Sequence, residues 1–296
     1  YVLDVRGIVL ASSNVSERDD SLLGEDVSYR PYYLEALAGR STRHFAIGRG
    51  GQAGYFASHP IYDGPRVLAL HGWLDNAASF VPLADHLAGI QLVAPDLPGH
   101  GRSAHLAAGA EYTSGVAVNA MLDIADALGW ETFSLLGHSM GGMIVQEMVR
   151  QAPQRVNRLV LYGTGPLGLL PGRFETMARS RERLAEDGVE RTARRICATW
   201  LLDREASPAF ELLSALGTCV SQQAAEAGLW AMEGWDGRDR LASIQQQTLI
   251  IWGEVDRSYS WSQIEALWRG IPGASLAVLP ACSHSLHLER TALFQT

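Results

Sequence analysis

The sequence contains few cysteines and no long hydrophobic run, and each absence argues against a class of protein. Its 296 residues include three cysteines, Cys197, Cys219 and Cys282, an odd and widely spaced set. Such a set does not predict a disulfide framework, and no CxxC pair predicts a zinc site. No apolar run approaches the ~18 residues that a membrane-spanning helix requires, so we expect no membrane span.

Positive charge is also scarce. The chain has 24 Lys and Arg against 32 Asp and Glu, which gives a formal net charge of -8. This balance gives no reason to expect a nucleic acid or an anionic membrane as a partner. Free thiols fit a reducing compartment, and no leader pattern precedes Tyr1, so we expect a cytoplasmic protein. The chain starts at Tyr1 instead of Met and stops at Thr296 within a helical pattern, so we expect both ends to be trimmed.

From Pro65 onward, short apolar runs alternate with helical patterns. The apolar runs are 67–70, 91–94, 133–136, 159–162, 248–252 and 275–279. Such runs are typical of strands buried on both faces of a parallel sheet. The helical patterns between them cover residues 80–88, 114–128, 141–151 and 260–269. The alternation predicts an α/β fold with a doubly wound, mostly parallel sheet.

Residues 166–243 interrupt this alternation. They contain no convincing strand but several helical patterns, at roughly 173–187, 189–202, 207–216 and 219–232. A helical block between two strands of such a sheet predicts a lid over the carboxyl ends of the strands, where open α/β sheets bind ligands. The predicted core domain is therefore divided into 65–165 and 244–296, of which the second part is truncated at its C-terminus.

Residues 1–64 differ from the rest of the chain. They contain short strand-like runs separated by polar turns, which read as two hairpins, and one short helical pattern over 31–38. We expect this stretch to form an atypical α+β segment at the N-terminus.

The candidate nucleophile is Ser139, in the segment Gly137-His138-Ser139-Met140-Gly141. This is G-x-S-x-G between a predicted strand and a predicted helix, the context in which the motif holds a catalytic serine on a tight turn. Side chains at the two glycines would collide with the neighbouring strand and helix. The alternative is a glycine-rich helix start with an N-capping serine. His138 is expected to point away from Ser139 and to have a structural role.

The sequence of a second loop, His71-Gly72-Trp73, indicates a site that stabilises an oxyanion. This loop follows the first strand of the sheet. The backbone N–H groups of Trp73 and Met140 are the expected donors, and such fixed donors lower a barrier by several kcal/mol. The alternative for this segment is a plain turn from strand to loop.

A serine hydroxyl requires a base, and in this arrangement an acid and then a histidine follow the serine along the chain. Asp256 follows the strand 248–252, and His284 follows the strand 275–279. Both therefore leave the same edge of the sheet as Ser139. Glu254 is the alternative acid and His287 is the alternative base.

Other polar motifs favour structural roles. The loop from Asp96 to Ser103 has a Pro-Gly-x-Gly composition that predicts a tight turn supported by Asp96 and Arg102. No Walker loop, dinucleotide loop or metal-ligand spacing is present, so we expect neither a cofactor nor a metal. Arginines in the predicted lid read as a solvated helix face interleaved with glutamates, although binding of a substrate carboxylate is an alternative. They are Arg173, Arg179, Arg181, Arg183, Arg191, Arg194 and Arg195.

Three tryptophans in the lid, Trp200, Trp230 and Trp235, are candidates for lining an apolar pocket. We take Trp230 and Trp235 as the substrate-binding candidates, and packing between lid and core is the alternative.

Residues 65–296 resemble the α/β-hydrolase superfamily, in its lidded esterase, lactonase and serine hydrolase-like branch. The stretches that carry the resemblance are LHGWLDNAASF, APDLPGHGRS, LLGHSMGG, LIIWGEVDR and CSHSLHLER. Dehalogenases and epoxide hydrolases of this fold have Asp at the nucleophile position, so Ser139 argues against both. Ring-fission C–C hydrolases usually have Asn where this chain has His138.

Residues 1–64 resemble part of the sensor domain of C4-dicarboxylate sensor histidine kinases. The stretches VLDVRGIVLASSN, GEDVSYRPYYLEAL and HFAIGRGGQAGYFASHPIYDG carry the likeness. The resemblance implies that Arg30, Tyr32 and Tyr55 line a ligand pocket, although the closing strands of that domain are missing.

The expected function is therefore hydrolysis of a small carboxylic ester or lactone through an acyl-enzyme, by a Ser139–His284–Asp256 triad. One alternative is C–C bond hydrolysis of a ring-fission product. An alternative of another class is a dicarboxylate-binding sensor fragment fused to an inactive hydrolase remnant.

Overall fold

The chain divides into two compact units, Tyr1–Asp63 and Gly64–Thr296. The computed structural model describes residues 2–3, 9–11, 26, 33–35, 42–47, 53–58, 64–84, 86–87, 89–107, 111–168 and 176–294.

The first unit contains two small antiparallel sheets. Strand β1 (Val2–Leu3) pairs with β2 (Val9–Ala11), and β3 (Thr42–Ile47) pairs with β4 (Ala53–Ser58). The two predicted hairpin pairings are confirmed. Residues 33–35 are helical. Arg30 and Tyr32 lie outside the described residues and Tyr55 lies in β4, so the resemblance to a sensor pocket stays a prediction.

The second unit is built on a six-stranded sheet. Its strands are β5 (Arg66–Leu70), β6 (Gln91–Val93), β7 (Phe133–His138), β8 (Val156–Tyr162), β9 (Gln247–Gly253) and β10 (Ser275–Leu279). They lie in the order β10-β9-β8-β7-β5-β6, and every neighbouring pair is parallel. The predicted parallel sheet is confirmed.

The strand order places a switch point between β5 and β7. From β5 the chain moves outward to β6, and it then returns to β7 on the opposite side of β5. Connections therefore leave β5 and β7 in opposite directions, which opens a crevice at their carboxyl ends. The loop after β5, which carries Trp73, and the turn after β7, which carries Ser139, both start at this crevice.

Both faces of the central strands are covered, as the continuous apolar runs predict, whereas the edge strand β10 is partly exposed, with Val278 46% exposed. Along β7, Leu135 belongs to a large core on one side, and Leu136 belongs to a smaller core on the other. The smaller core includes Phe80, Tyr162 and Leu286. Neighbouring residues of one strand thus pack against different layers, which is the reason for the missing polar alternation.

Helices flank the sheet close to where the sequence places them. Those outside the interrupted region are α1 (Val81–Ala84), α2 (Ser114–Ala127), α3 (Met140–Gln151), α7 (Trp261–Gly270), α8 (Leu286–Glu289) and α9 (Thr291–Phe294). Helix α1 is shorter than the predicted 80–88, and a 3-10 turn over Ala77–Phe80 precedes it. The Thr113 side chain caps α2 by accepting from the N–H of Val116.

Three helices lie between β8 and β9 and are here termed the inserted helices. They are α4 (Met177–Thr199), α5 (Phe210–Gly217) and α6 (Gln222–Gly234). Helix α4 is broken at Gly188, whose φ of 72° and ψ of 176° are not helical, in agreement with the division predicted between 187 and 189. The Trp73 Nε1–H donates to the carbonyl oxygen of Ala225 (2.8 Å), so α6 packs on the loop that follows β5.

Candidate active site

Ser139 occupies a strained turn between β7 and α3. Its φ of 51° lies in the left-handed region and its ψ is −118°, a conformation that costs a residue with a Cβ about 1–3 kcal/mol. The backbone holds it there, because its N–H donates to the carbonyl oxygen of Tyr162 (3.1 Å). Its own carbonyl oxygen accepts from the Thr164 hydroxyl (2.8 Å). The side chain makes no capping hydrogen bond to α3, which leaves its hydroxyl available for chemistry.

Glycines allow the elbow to approach the end of β5. A Cβ on Gly141 would collide with the carbonyl oxygen of Leu70, and a Cβ on Gly72 would lie 3.2 Å from the Cβ of Ser139. The start of α3 therefore contacts the end of β5 directly. This contact brings the loop containing Trp73 beside Ser139, as the G-x-S-x-G interpretation requires.

Asp256 and His284 form a buried pair. The ring Nδ1 of His284 lies 3.1 Å from Oδ2 of Asp256, and their side chains are 1% and 0% exposed. Because a carboxylate only accepts, Nδ1 carries the proton and Nε2 is the unprotonated nitrogen of the neutral ring. Oδ1 of Asp256 accepts from the N–H groups of Ser258 (2.6 Å) and Tyr259 (3.2 Å). The carboxylate is thus fixed by three donors.

The alternative acid, Glu254, and the alternative base, His287, do not take part in this pair. Oε2 of the exposed Glu254 accepts from the N–H of Ala281 (3.2 Å). His287 is completely buried against Phe80 and Tyr162, and among the described residues neither of its ring nitrogens has a hydrogen-bond partner. The geometry therefore favours Asp256 and His284 over both alternatives.

Aromatic rings enclose the His284 imidazole. Tyr259 stacks on it, with ring centroids 5.8 Å apart and planes inclined by 18°. Trp200, from the end of α4, approaches at 5.7 Å, and His138 approaches at 4.9 Å. These contacts restrict rotation of the ring about its side-chain bonds. Sequence reasoning did not single out Tyr259, because its contact with His284 depends on the loop conformation set by Asp256.

The segment connecting α4 to α5 is attached to the loops that carry Asp256 and His284. The Arg257 guanidinium donates to the carbonyl oxygens of Leu201 (2.7 Å) and Leu202 (3.2 Å). The Glu289 carboxylate accepts from the N–H of Leu202 (2.6 Å) and from that of Ser283 (2.7 Å). The inserted helices and the acid–base pair are therefore joined through charged hydrogen bonds, which are stronger than neutral ones.

His71 fixes the loop of the expected oxyanion donors. Its Nδ1–H donates to the carbonyl oxygen of Gly72 (2.8 Å), and its Nε2 accepts from the N–H of Leu97 (2.9 Å). Burial lowers the pKa of His71, so the ring stays neutral and retains both roles. Trp73 follows, with its indole buried against α6, and Leu74 has a positive φ of 52°.

A small cavity lies beside Met140. Its volume is about 50 Å³, and its lining comes from the loop after β6, the start of α2, α3 and α6. The lining residues are Leu97, Pro98, His100, Tyr112, Thr113, Ser114, Val116, Ala117, Met140, Met143, Ile144, Ala224, Gly228, Ala231 and Met232. This lining is largely apolar and contains no Lys or Arg. Burial lowers the pKa of His100 to about 3, so that ring is neutral as well.

The candidate substrate tryptophans do not line this cavity. Trp230 is 56% exposed on the outer side of α6, where the Arg181 guanidinium lies 3.5 Å above its ring. Trp235 is buried after α6, and its Nε1–H donates to Oε1 of Glu147 (3.3 Å). Both border an open surface groove, which adjoins the cavity and shares Tyr112, Thr113, Ser114 and Ala231 with its lining. Any role in binding therefore requires a substrate that reaches this groove.

The remaining polar motifs are structural. Oδ1 of Asp96 accepts from the N–H of Ala77 (2.8 Å) and Oδ2 accepts from that of Arg102 (2.7 Å). The predicted turn around Asp96 is thus confirmed. On the inserted helices, Arg179 pairs with Glu182 and Glu186, and Arg194 pairs with Glu211. Arg173 lies outside the described residues.

Within the described ranges, no group of three or more His, Cys, Asp or Glu side chains is arranged to hold a metal ion. In the same part of the chain, no helix has both the length and the apolar character needed to cross a bilayer.

Comparison with known proteins identifies relatives of the second unit. Residues 65–291 match the family model described as alpha/beta hydrolase fold. A serine hydrolase-like protein of Homo sapiens is 36% identical over 166 residues, which cover 53% of this chain and 79% of that protein. A 2-hydroxy-6-oxo-6-phenylhexa-2,4-dienoate hydrolase of Comamonas testosteroni is 28% identical over 250 residues, covering 78% of this chain and 85% of that protein.

Coverage varies among these relatives. The chain spans about a third of the length of two further serine hydrolase-like proteins, from Dictyostelium discoideum (32%) and Homo sapiens (34%). A crystal structure of a hydrolase from Pseudomonas aeruginosa PA01 superposes with a TM-score of 0.71 at 25% identity, covering 86% of this chain and 96% of that one. The matched family model, the sheet order and these relatives agree, and the chain belongs to the alpha/beta hydrolase fold family.

Proposed function

We propose that the protein hydrolyses a small carboxylic ester or lactone through an acyl-enzyme, with Ser139 as nucleophile, His284 as general base and Asp256 as the acid that orients it. The observation that carries this proposal is the buried contact between His284 Nδ1 and Asp256 Oδ2, on the same sheet edge as the strained Ser139. This is the constellation by which a weak hydroxyl nucleophile is activated.

The proton inventory supports this assignment. Asp256 holds the proton of His284 on Nδ1, which leaves the lone pair of Nε2 to accept the Ser139 hydroxyl proton as Oγ bonds to the substrate carbonyl carbon. The same proton then passes to the leaving alcohol oxygen as the ester bond breaks. A water molecule repeats both transfers, so the acid is released and Ser139 regains its hydrogen.

The charge that develops on the carbonyl oxygen is assigned to the backbone N–H groups of Trp73 and Met140. Met140 N–H is at the N-terminus of α3, where the helix dipole favours negative charge. The His71 hydrogen bonds hold the loop that carries Trp73. Such donors stabilise the transition state without moving during the reaction.

The cavity beside Met140 supports a neutral, compact acyl or alcohol group as the substrate portion that binds there. Its lining offers no Lys or Arg and a neutral His100, so a carboxylate entering it would lose hydration without gaining a cation. A volume of about 50 Å³ favours a short chain inside the cavity itself.

C–C bond hydrolysis of a dienoate is the second candidate. The relative from Comamonas testosteroni, whose name gives this activity, matches over 78% of this chain. Such a substrate carries a carboxylate, for which the described cavity lining provides no cation. We therefore rank ester or lactone hydrolysis first.

The test compares two chromogenic reactions. We expect hydrolysis of p-nitrophenyl butyrate by the wild-type chain and a loss of kcat of about 10⁴-fold or more in Ser139→Ala. Ser214→Ala is the matched control, because Ser214 is a buried serine on α5 without a hydrogen-bond partner among the described residues, and it should retain wild-type kcat. Decay of dienoate absorbance without ester turnover would favour the second candidate, and turnover by Ser139→Ala would contradict both.

A further inference from the structure

His138 precedes the proposed nucleophile and contacts the backbone of the proposed base. Its ring nitrogen Nε2 lies 3.2 Å from the carbonyl oxygen of His284, a contact that joins positions 146 residues apart. A carbonyl oxygen only accepts, so Nε2 carries a proton and donates it. One hydrogen bond thus connects the turn that carries Ser139 to the loop that carries His284.

The His138 ring is held by its surroundings. It is 2% exposed and stacks on Tyr162, with centroids 4.6 Å apart and planes inclined by 16°. Its Nδ1 faces Oδ2 of Asp75 at 3.9 Å, which is beyond hydrogen-bond distance. Asp75 accepts instead from the N–H of Asn76 (2.8 Å) and from the hydroxyl of Ser79 (3.0 Å). The hydrogen bond from Nε2 is therefore the one that gives the ring its link to another loop.

Burial lowers the pKa of His138, although the neighbouring Asp75 carboxylate raises it. The ring is accordingly neutral near pH 7 and carries its single proton on Nε2. A neutral ring that donates this hydrogen bond neither gives a proton to the triad nor takes one from it. His138 is therefore not itself a candidate base.

We propose that His138 is a positioning residue that sets the separation of Ser139 and His284 through its hydrogen bond to the His284 carbonyl oxygen. This inference rests on the proposed serine hydrolase function. The physical reason is geometric: transfer of the serine proton requires the two side chains to be within hydrogen-bond reach, and a displacement of about 1 Å costs roughly 100-fold in rate.

Two amide substitutions test the inference. In His138→Gln the side-chain N–H occupies nearly the place of Nε2 and retains the bond. In His138→Asn the amide is one methylene shorter and does not reach the carbonyl. We expect kcat to fall by up to about 100-fold in His138→Asn with KM nearly unchanged, and to be within about threefold of wild type in His138→Gln.

The matched control is His287→Phe. His287 is a buried imidazole in the same cluster, with its ring 5.1 Å from that of His138 and no hydrogen-bond partner among the described residues. Its replacement removes a buried imidazole without removing the contact to His284, so kcat should stay at the wild-type value. Equal kcat in His138→Asn and His138→Gln, or a loss in His287→Phe as large as that in His138→Asn, would overturn the inference.

A second measurement separates this inference from the proposed function. Nitrogen-15 NMR of the His284 ring reports whether its proton stays on Nδ1, independently of turnover. We expect one Nδ1–H tautomer in wild type and in His138→Gln, and exchange between tautomers or line broadening in His138→Asn. If wild type is inactive on every ester, the function fails, and these spectra still decide the role of His138: identical His284 signals in all three proteins would exclude it.

Discussion

At the residue scale, the proposed site combines one strained side chain with one fixed carboxylate. Ser139 is held at positive φ by bonds from its own backbone, whereas the buried side chain of Asp256 accepts three hydrogen bonds. The strain is a cost to stability, and the fixed carboxylate is the element that determines the tautomer of His284. Each can be tested by a single substitution.

Asp256→Asn tests the tautomer. The amide donates to Nδ1 instead of accepting from it, so the His284 proton moves to Nε2 and the base is lost. We expect kcat for p-nitrophenyl butyrate to fall by about 10⁴-fold with little change in stability. Glu254→Gln is the control from the same loop and should retain activity, since the Glu254 carboxylate accepts from the Ala281 N–H, whereas His284 Nδ1 faces Asp256. A larger loss in Glu254→Gln than in Asp256→Asn would assign the acid to Glu254.

Ser139→Gly tests the strain. Glycine adopts the observed φ of 51° without steric cost, so the free energy of unfolding should rise by about 1 kcal/mol as activity disappears. The measurement is urea denaturation. Ser214→Gly, inside helix α5, should change stability in the opposite direction by a similar amount. A Ser139→Gly protein that is less stable than wild type would argue against stored strain at the nucleophile.

Some residues of the proposed site are predictable from the sequence and others are not. Ser139 is predictable because the glycines, strand and helix that strain it are adjacent in the chain. Asp256 and Glu254 are two residues apart in one loop, and only the folded loop directs Glu254 toward the Ala281 N–H. Tyr259 was missed for the same reason, since its ring reaches His284 only after Asp256 turns the backbone.

At the scale of elements, the inserted helices are joined to the acid–base loops by Glu289. Its carboxylate accepts from the N–H groups of Leu202 and Ser283, one on each side of the junction. Glu289→Ala removes both bonds and leaves two part-buried donors unpaired, at a cost of roughly 2–3 kcal/mol in unfolding free energy. We expect faster hydrogen exchange at the Leu202 and Ser283 amides and a lower kcat.

The control for this junction is Glu265→Gln. Glu265 pairs with Arg269 on the surface of α7, and such an exposed pair contributes little. Its substitution should change stability by less than about 0.5 kcal/mol. Unchanged exchange at Leu202 in Glu289→Ala would show that the Glu289 bonds do not hold this junction, and that the Arg257 bonds to Leu201 and Leu202 or packing hold it instead.

Secondary structure was largely predictable at this scale because each element carries its own periodicity. The break of α4 at Gly188 is one such local signal. The contact of Trp230 with Arg181 could not be predicted in this way, because helical periodicity indicates which residues share a face but not what that face contacts. Trp230 lies on the exposed side of α6 beneath Arg181, and the cavity is formed from the opposite side of this helix, including Ala224 and Gly228.

At the scale of the whole second unit, the cavity beside Met140 forms where helices of the core meet α6. It is built from four separate stretches of the chain, so no single sequence motif predicts it. Its small volume and uncharged lining predict a preference for short, neutral acyl groups.

Met232→Ala should enlarge this cavity. Met232 lines it from α6, and its truncation removes three heavy atoms from the wall. We expect the optimum of kcat/KM along a p-nitrophenyl ester series to move from short chains toward longer ones. Met148→Ala is the control: Met148 is a fully buried methionine of α3 outside the lining, and its truncation should destabilise the protein by about 2–5 kcal/mol without moving the optimum. An unchanged optimum in Met232→Ala would mean that the acyl chain binds elsewhere.

The central claim is that Ser139 is a nucleophile activated by His284 and Asp256, and covalent labelling tests it most directly. Folded wild-type protein treated with a fluorophosphonate and analysed by peptide mass spectrometry should carry one phosphonyl adduct, on Ser139. The adduct should form far more slowly in His284→Ala, because the proton of the hydroxyl then has no acceptor. Absence of the adduct in folded wild type, or an adduct that forms equally fast without His284, would contradict the account.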